Sequence, residues 1–342
     1  MLWLTLLIIW FCLVDISKIK MTNEQRKLTI GMCTYDDFHG TYMTIQSIRL
    51  YHPEVLNDIE FLVIDNNPTG KQGETLKSFI TESVPHGRYI PFDEYTGCGV
   101  RSKIFEYANT PFVMSLDCHI MLYPNSLKRL IEYYDDNPKC DDLIQGPLLW
   151  EQLENELTLK DGKKVINIST HFDMEWRGGM RGRWSNHPTL GYNVDDPPFE
   201  IPSQGLGLFS ARKESWLGFN EHFREFGGEE GYIHEKYRRN GRKTLCLPFL
   251  RWMHRFYRPE GAPYPISLRA KLKNYVIGHM ELGEAMDEFI LHFTDEDNKE
   301  KNTDDFLREL IIETMNETGY LPKFKNREIM ERVNPYTRKV HT

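Results

Sequence analysis

Short apolar runs alternate with helical stretches through the first third of this chain, and each run closes on polar or glycine-rich residues. Lys27-Leu-Thr-Ile-Gly-Met-Cys33 ends in Thr34-Tyr-Asp-Asp37, and Ile59-Glu-Phe-Leu-Val-Ile64 ends in Asp65-Asn-Asn-Pro-Thr-Gly70. Between them Tyr42 to Leu50 repeats its apolar residues at helical spacing. A helix from Gly73 to Glu82, a short strand near Arg88 to Ile90, a turn at Gly97-Cys-Gly99 and a helix from Val100 to Ala108 lead to the apolar strand that starts at Phe112. Apolar runs without polar alternation are strands buried on both faces. Strand and helix in turn predict a parallel sheet covered by helices on either side. In such sheets ligands bind beyond the carboxyl ends of the strands, where Thr34, Asp65 and Asp117 all fall.

The run Phe112-Val-Met-Ser-Leu-Asp-Cys-His119 carries the most chemistry. Side chains at i and i+2 of an extended segment point the same way, so Asp117 and His119 can converge on one divalent ion. The same triplet also describes a buried strand that ends in polar loop residues, and nothing within it decides between the two.

Composition narrows the classes. In 342 residues, 40% are hydrophobic and 27% charged, as in ordinary globular proteins large enough for one big core or two modest ones. A net charge of −8 argues against a stable nucleic-acid partner, although Lys236-Tyr-Arg-Arg-Asn-Gly-Arg-Lys243 is locally basic. The six cysteines are scattered without a CxxC pair, which predicts reduced thiols and a cytoplasmic setting. Leu2 to Val14 is apolar apart from Thr5, too short to span a bilayer comfortably and without a basic leader. Residues 1–20 therefore read as an extension preceding a start at Met21, with a short membrane anchor as the alternative.

Further along, a helix from Leu127 to Asp135 precedes the apolar Asp142 to Leu149. Phe172 to Pro198 is rich in Gly, Pro, Trp and Arg and reads as a long functional loop. Gln204-Gly-Leu-Gly-Leu-Phe-Ser-Ala211 follows, then a helix from Lys213 to Leu217, Phe226-Gly-Gly-Glu-Glu230 opening a helix to about Arg239, a strand from Thr244 to Phe249, and Trp252-Met-His-Arg-Phe256. Beyond Pro265 the chain is helical and charged, with helices over Leu268 to Gly278 and Phe306 to Glu317. The division expected is an extension over 1–20, one α/β domain over 21–264 and a helical C-terminal appendage over 265–342.

Taken in order, these pieces resemble a GT-A-fold (nucleotide-diphospho-sugar transferase) glycosyltransferase. They are Thr-Tyr after the first strand, Val-Ile-Asp after the second, Gly97-Cys-Gly-Val-Arg101 before the Asp-x-His strand, Gly-Leu-Phe-Ser, Gly-Gly-Glu-Glu and a late histidine. More narrowly they are similar to family-2-like enzymes and to the catalytic domain of polypeptide N-acetylgalactosaminyltransferases, over about residues 27 to 258. The resemblance implies a mostly parallel central sheet flanked by helices, a divalent metal (Mn²⁺ or Mg²⁺), and a nucleotide-sugar donor whose hexosyl or N-acetylhexosaminyl group passes to an acceptor hydroxyl.

Carried onto this chain, the resemblance makes Asp117, His119 and His254 the metal ligands, where the alternative for His254 is a packed histidine beside Trp252 and Phe256. Two imidazoles with a carboxylate suit Mn²⁺ better than Ca²⁺. Thr34, Tyr35 and Asp65 would form the nucleoside pocket, with Asp65 accepting the imide N–H of uracil, so a UDP-sugar is favoured; Asp65 could equally serve an Asx turn. Arg101 at a helix start suits a phosphate. Gly205 and Gly207 would let the backbone approach the sugar, and Gly228 belongs to the glycine pair that presents Glu229 and Glu230 to the sugar or acceptor. Either carboxylate is a candidate base, although first-turn acids also favour a helix dipole. The polypeptide-transferring enzymes carry Gly-Gly-Glu-Asn here, so the final Glu leaves retention or inversion of the anomeric centre open, and this chain also has fewer basic residues around its Gly-x-x-x-Arg.

Two other readings accompany this one. A sugar nucleotidyltransferase would show a glycine- and lysine-rich loop after the first strand, which Thr34 to Gly40 is not. A non-catalytic sugar- or nucleotide-binding protein would leave the three converging ligands without a purpose. The sequence leaves glycans, proteins, lipids and modified nucleic-acid bases open as the source of the acceptor hydroxyl.

Overall fold

The computed structural model describes residues 26–150, 159–160, 163–164, 167–176, 180–258 and 261–334. The expected extension over 1–20, with its apolar Leu2 to Val14, lies outside the described residues.

The first half runs β1 (Leu28–Thr34), α1 (Phe38–Tyr51), β2 (Ile59–Asp65), α2 (Gly73–Ser78), β3 (Gly87–Pro91), α3 (Arg101–Tyr107), β4 (Phe112–Leu116), β5 (Ile120–Leu122) and α4 (Ser126–Asp136). There follow β6 (Leu143–Gln145), β7 (Leu148–Trp150), the short pair β8 (Leu159–Lys160) and β9 (Lys163–Lys164), β10 (Ile168–Ser169), and β11 (His171–Met174) with β12 (Gly182–Ser185). The remainder is β13 (Phe199–Glu200), β14 (Leu208–Arg212), α5 (Glu229–Arg239), β15 (Thr244–Cys246), β16 (Trp252–His254), α6 (Leu268–Leu282), α7 (Asp287–Thr294), α8 (Asp304–Thr318) and α9 (Arg327–Val333).

Eight strands form the central sheet in the order β13-β15-β6-β14-β4-β1-β2-β3. β3, β2, β1 and β4 pair in parallel, as do β6 and β15, whereas β14 and β13 run against their neighbours. The predicted mostly parallel α/β sheet is therefore present. Alternate residues of one strand feed different cores, as a two-residue period requires. Phe61 and Val63 pack with Ile45 and Leu127 on one side, while Leu62 and Ile64 pack with Ile104 and Phe209 on the other. The second of these cores also takes in Tyr275, Ile277, Phe289, Leu310 and Val333, so the C-terminal helices bury their apolar faces in it.

Chain order makes a crevice. From β1 the chain proceeds outward through β2 and β3, then returns to place β4 on the other side of β1. The carboxyl ends of β1 and β4 thus diverge at a switch point, where open α/β sheets bind ligands. A second sheet has four strands in the order β10-β7-β16-β5.

Several elements differ from expectation. The stretch 172–198 is not one irregular loop: β11 and β12 pair antiparallel across it, and Trp176 and Met180 are buried, Trp176 packing its ring against Tyr275 and Phe289. Asp142 to Leu149 divides into β6 and β7 of different sheets, broken at Gly146-Pro147. The strand expected to reach Phe249 stops at Cys246, two residues before Pro248, which has no N–H for a ladder. The helix expected over Lys213 to Leu217 is a single 3₁₀ turn, and α2 passes into a wider π turn over Phe79–Ser83. Among the described residues, no helix is long and apolar enough to cross a membrane.

Candidate active site

The crevice beyond β1 and β4 holds the converging polar groups. Asp117 directly follows β4, and its N–H donates to the carbonyl of Gly207 (2.9 Å), tying it to the residue that precedes β14. Two residues on, His119 adopts φ +74°, a left-handed conformation that costs a non-glycine residue about 1–3 kcal/mol. Helix α1 holds it there. The His119 N–H donates to the Gly40 carbonyl (3.2 Å), and the N–H of Ile120 donates to Thr44 Oγ1 (2.8 Å). His254 ends β16, which pairs antiparallel with β5 so that His254 lies opposite Ile120. Strand register therefore unites two histidines that are far apart in sequence.

One ligand atom each from Asp117, His119 and His254 lies within 4.8 Å of the others. The two Nε2 atoms face each other at 3.1 Å, and His254 Nε2 is 3.5 Å from Asp117 Oδ2. His254 Nδ1 is buried without a hydrogen-bond partner. Burial holds the His119 imidazole below its ordinary pKa, opposed by Asp37. Burial alone would raise the Asp117 carboxyl, but the Arg101 guanidinium and then His254 carry it well below the usual carboxylate range. Two imidazole lone pairs and one carboxylate aimed at one point are the donor set of a divalent cation, and the imidazoles favour Mn²⁺ over Ca²⁺.

Around this point lie the other predicted residues. Thr34, Tyr35 and Arg101 line the crevice together with Asp117 and His119. Arg101 donates to Asp117 Oδ1 (2.7 Å) and stands 3.4 Å from Glu229 Oε1. Glu229 is fully buried and also accepts from the Gly227 N–H (2.8 Å). Gly227 and Gly228, at φ +106° and +88°, make the left-handed turn that opens α5. Burial raises the Glu229 carboxyl against the pull of Arg101. Burial, and then the neighbouring Glu229 charge, push Glu230 up to about 8. Gly205 and Gly207 pack against the rings of Trp184 and Trp252, where a Cβ would approach ring carbons to 2.8 and 2.7 Å.

Asp65 stands just behind the wall, and its neighbour Asn66 lines the crevice. One Asp65 oxygen accepts from the Asn67 N–H (3.0 Å), the Asx-turn geometry, and the other accepts from the Tyr89 hydroxyl (2.7 Å).

The crevice includes residues that the sequence reading did not single out. Asp37 caps α1 through Gly40 N (2.9 Å) and meets His119 Nδ1 at 3.1 Å. Its signal was legible as an N-cap acid ahead of a helical period. Arg258 donates to His119 Nε2 (2.8 Å) and to the Tyr264 hydroxyl (3.1 Å), while Phe226 and Tyr264 close the mouth. Arg258 and Tyr264 lie in coil after β16, where no periodicity marks them.

Residues 29–174 match the model of the glycosyl transferase family 2. The structure of GalNAc-T7 with UDP, GalNAc and Mn²⁺ superimposes with a TM-score of 0.57 at 16% identity, covering 91% of this chain and 58% of that one. This chain therefore spans little more than half the length of GalNAc-T7. Residues 1–349 of TarS from S. aureus align more loosely, with a TM-score of 0.46 at 10% identity over 92% of this chain and 77% of that one. No curated protein sequence matches the chain. The match of residues 29–174, β1 to β11, to that family model and the architecture shared with GalNAc-T7 show that the chain has the GT-A fold.

Proposed function

We propose that this protein is a metal-dependent glycosyltransferase that moves a hexosyl or N-acetylhexosaminyl group from a UDP-sugar to an acceptor hydroxyl, within a domain spanning about residues 21–264. The observation that carries the reading is the convergence of Asp117, His119 and His254 within 4.8 Å at the switch point of the sheet.

Asp117, His119 and His254 would hold the ion, Mn²⁺ by preference. When bound, such an ion neutralises charge that builds on the departing diphosphate. Thr34 and Tyr35 wall the side of the crevice suited to the nucleoside. Asp65, with two of its roughly four acceptor sites in use, keeps capacity for the uracil imide N–H. Arg101 supplies a fork of donors beside the ligands, able to take phosphate or sugar oxygens once a ligand competes for it. In the transfer, the bond from the anomeric carbon to the diphosphate oxygen breaks and one to the acceptor oxygen forms, while the hydroxyl proton passes to a carboxylate. Glu229 and Glu230 open the helix beside Arg101, and a carboxyl near pKa 8 is matched to proton exchange close to neutral pH. Gly205 and Gly207 make room for the Trp184 and Trp252 rings, Gly207 would bring its backbone toward the sugar beside Asp117, whose N–H it holds, and Gly228 sets the direction of the acidic turn.

Calorimetric titration of the full chain with UDP and with GDP, in Mn²⁺ and in EDTA, tests this. The expected result is UDP binding that requires Mn²⁺ and is lost in Asp117→Ala. Binding of GDP alone would overturn the uracil assignment. Binding of neither, by folded protein, would overturn the donor and metal assignments together.

A further inference from the structure

The two imidazoles at the centre of the site are not equivalent. His254 Nδ1 is buried without a partner, and its Nε2 faces His119 Nε2 at 3.1 Å and Asp117 Oδ2 at 3.5 Å. His119 Nδ1 has a carboxylate oxygen, Asp37 Oδ2, at 3.1 Å. Its Nε2 faces the Arg258 guanidinium at 2.8 Å. A guanidinium only donates, so Nε2 must present its lone pair there, and the ring proton must sit on Nδ1 and point at Asp37. Arg258 also stands 3.4 Å from Nδ1, a longer approach that Asp37 outcompetes as the partner of that nitrogen.

We propose that Asp37 is a positioning residue that sets the tautomer and angle of His119 so that Nε2 is presented to the metal. This rests on the metal site proposed above.

Asp37 does this with a carboxylate already fixed in place. Oδ1 accepts from the Gly40 N–H (2.9 Å) and caps α1, and Oδ2 is thereby turned to His119. The same helix holds the strained His119 backbone through the Gly40 carbonyl (3.2 Å) and fixes the next N–H through Thr44 Oγ1 (2.8 Å). Ring and main chain are thus referenced to one rigid element. A carboxylate behind a ligating imidazole fixes its orientation and strengthens it as a donor, and loss of such a partner typically weakens metal binding about 10–100-fold.

Asp37→Asn isolates this role, because Asn caps a helix as well as Asp does. With its carbonyl on Gly40 N–H, the amide nitrogen faces His119 Nδ1 and must donate to it. The imidazole proton then moves to Nε2 and the lone pair offered to the metal is lost. Two readouts follow: Mn²⁺ affinity, from the electron paramagnetic resonance of free Mn²⁺, and the His119 tautomer, from long-range ¹H–¹⁵N correlation spectra assigned with His119→Gln. The expected result is a cooperative unfolding transition retained in EDTA, an affinity weakened about 10–100-fold, and a shift of His119 from Nδ1–H to Nε2–H. An Asp37→Asn affinity equal to wild type, beside a loss in Asp117→Ala, would sink the positioning role alone, as would Nε2–H in the wild type. Wild-type protein that binds no Mn²⁺ would sink the metal assignment, and this role with it.

Discussion

One nitrogen of Arg101 lies 2.7 Å from Asp117 Oδ1 and another lies 3.4 Å from Glu229 Oε1. A single guanidinium therefore compensates two carboxylates that the chain brings in from β4 and α5. Arg101→Ala leaves both without their cation. Stranding one partner of a buried pair costs about 3–5 kcal/mol, and the exposed quarter of the Asp117 side chain favours the low end. The sign with pH follows from Asp117. Its depressed carboxyl contributes stability above the unfolded value of about 3.9 and loses it as the pH falls further. Thermal unfolding should show Arg101→Ala well below wild type at pH 7, with the gap narrowing toward and below about pH 4. A gap that is constant with pH would contradict the ion-pair account.

Glu230 carries the opposite linkage. Burial, with Glu229 beside it, raises its carboxyl to about 8 in the folded chain, so its contribution is fully present below the unfolded value and lost as the pH climbs through 8. Glu230→Gln is neutral at every pH. Its Tm should therefore match wild type near pH 4.5 and exceed it at pH 8.5, read by scanning calorimetry across that range. If Glu230 is also the group that exchanges a proton with the acceptor, the same variant should lose about 10²–10⁴-fold in kcat. Higher stability with lower turnover is a combination that a merely structural acid would not produce.

Gly207 sits where the two sheets meet at the site. A Cβ there would come within 2.7 and 2.9 Å of the Trp252 ring and 3.4 Å of the His254 ring, and Trp252 is fully buried. Gly207→Ala must displace one or both, costing about 1–3 kcal/mol of overpacking. Because the Gly207 carbonyl also anchors the Asp117 N–H, the displacement reaches two of the proposed metal ligands at once. Lower Tm with weaker Mn²⁺ binding is expected, and a variant that lost stability with Mn²⁺ affinity intact would show the two ligands to be insulated from this contact.

The strands were legible because burial on both faces writes them as unbroken apolar runs, and the polar residues after β1, β2 and β4 marked the carboxyl-end crevice. Asp117 and His119 could be paired from their spacing alone. The placement of His254 could not, since it depends on β16 pairing with β5 across more than a hundred residues. Nor could Asp37 be assigned to the site, because its contact requires the left-handed turn at His119, which no local propensity announces. The hairpin of β11 and β12 was hidden by the same Gly, Trp and Arg content that reads as a loop. Two of the C-terminal helices were visible as charged helical periods. Their burial was not, because the core that receives them is assembled from distant segments, Trp176 packing on Tyr275 of α6 and Leu307 and Leu310 of α8 joining the same cluster.

That burial has a polar lock. Glu281, near the end of α6, accepts from Asn220 Nδ2 and the Tyr232 hydroxyl, each at 2.7 Å, and pairs with Lys236 Nζ at 3.1 Å. Tyr232 and Lys236 belong to α5, the helix that begins at Glu229, so one carboxylate ties the acidic turn of the site to the C-terminal helices. Glu281→Ala leaves three donors to find other partners. Lys236 keeps the Tyr232 hydroxyl and the Gly218 carbonyl, which limits the cost to about 2–3 kcal/mol rather than the full penalty of a broken buried pair. Amide hydrogen exchange should then quicken across α6 to α8 while β1, β2 and β4 stay protected, because the sheet keeps its own ladder. Uniform acceleration over the sheet and the helices would show instead that they unfold as one unit and that Glu281 holds no separate joint.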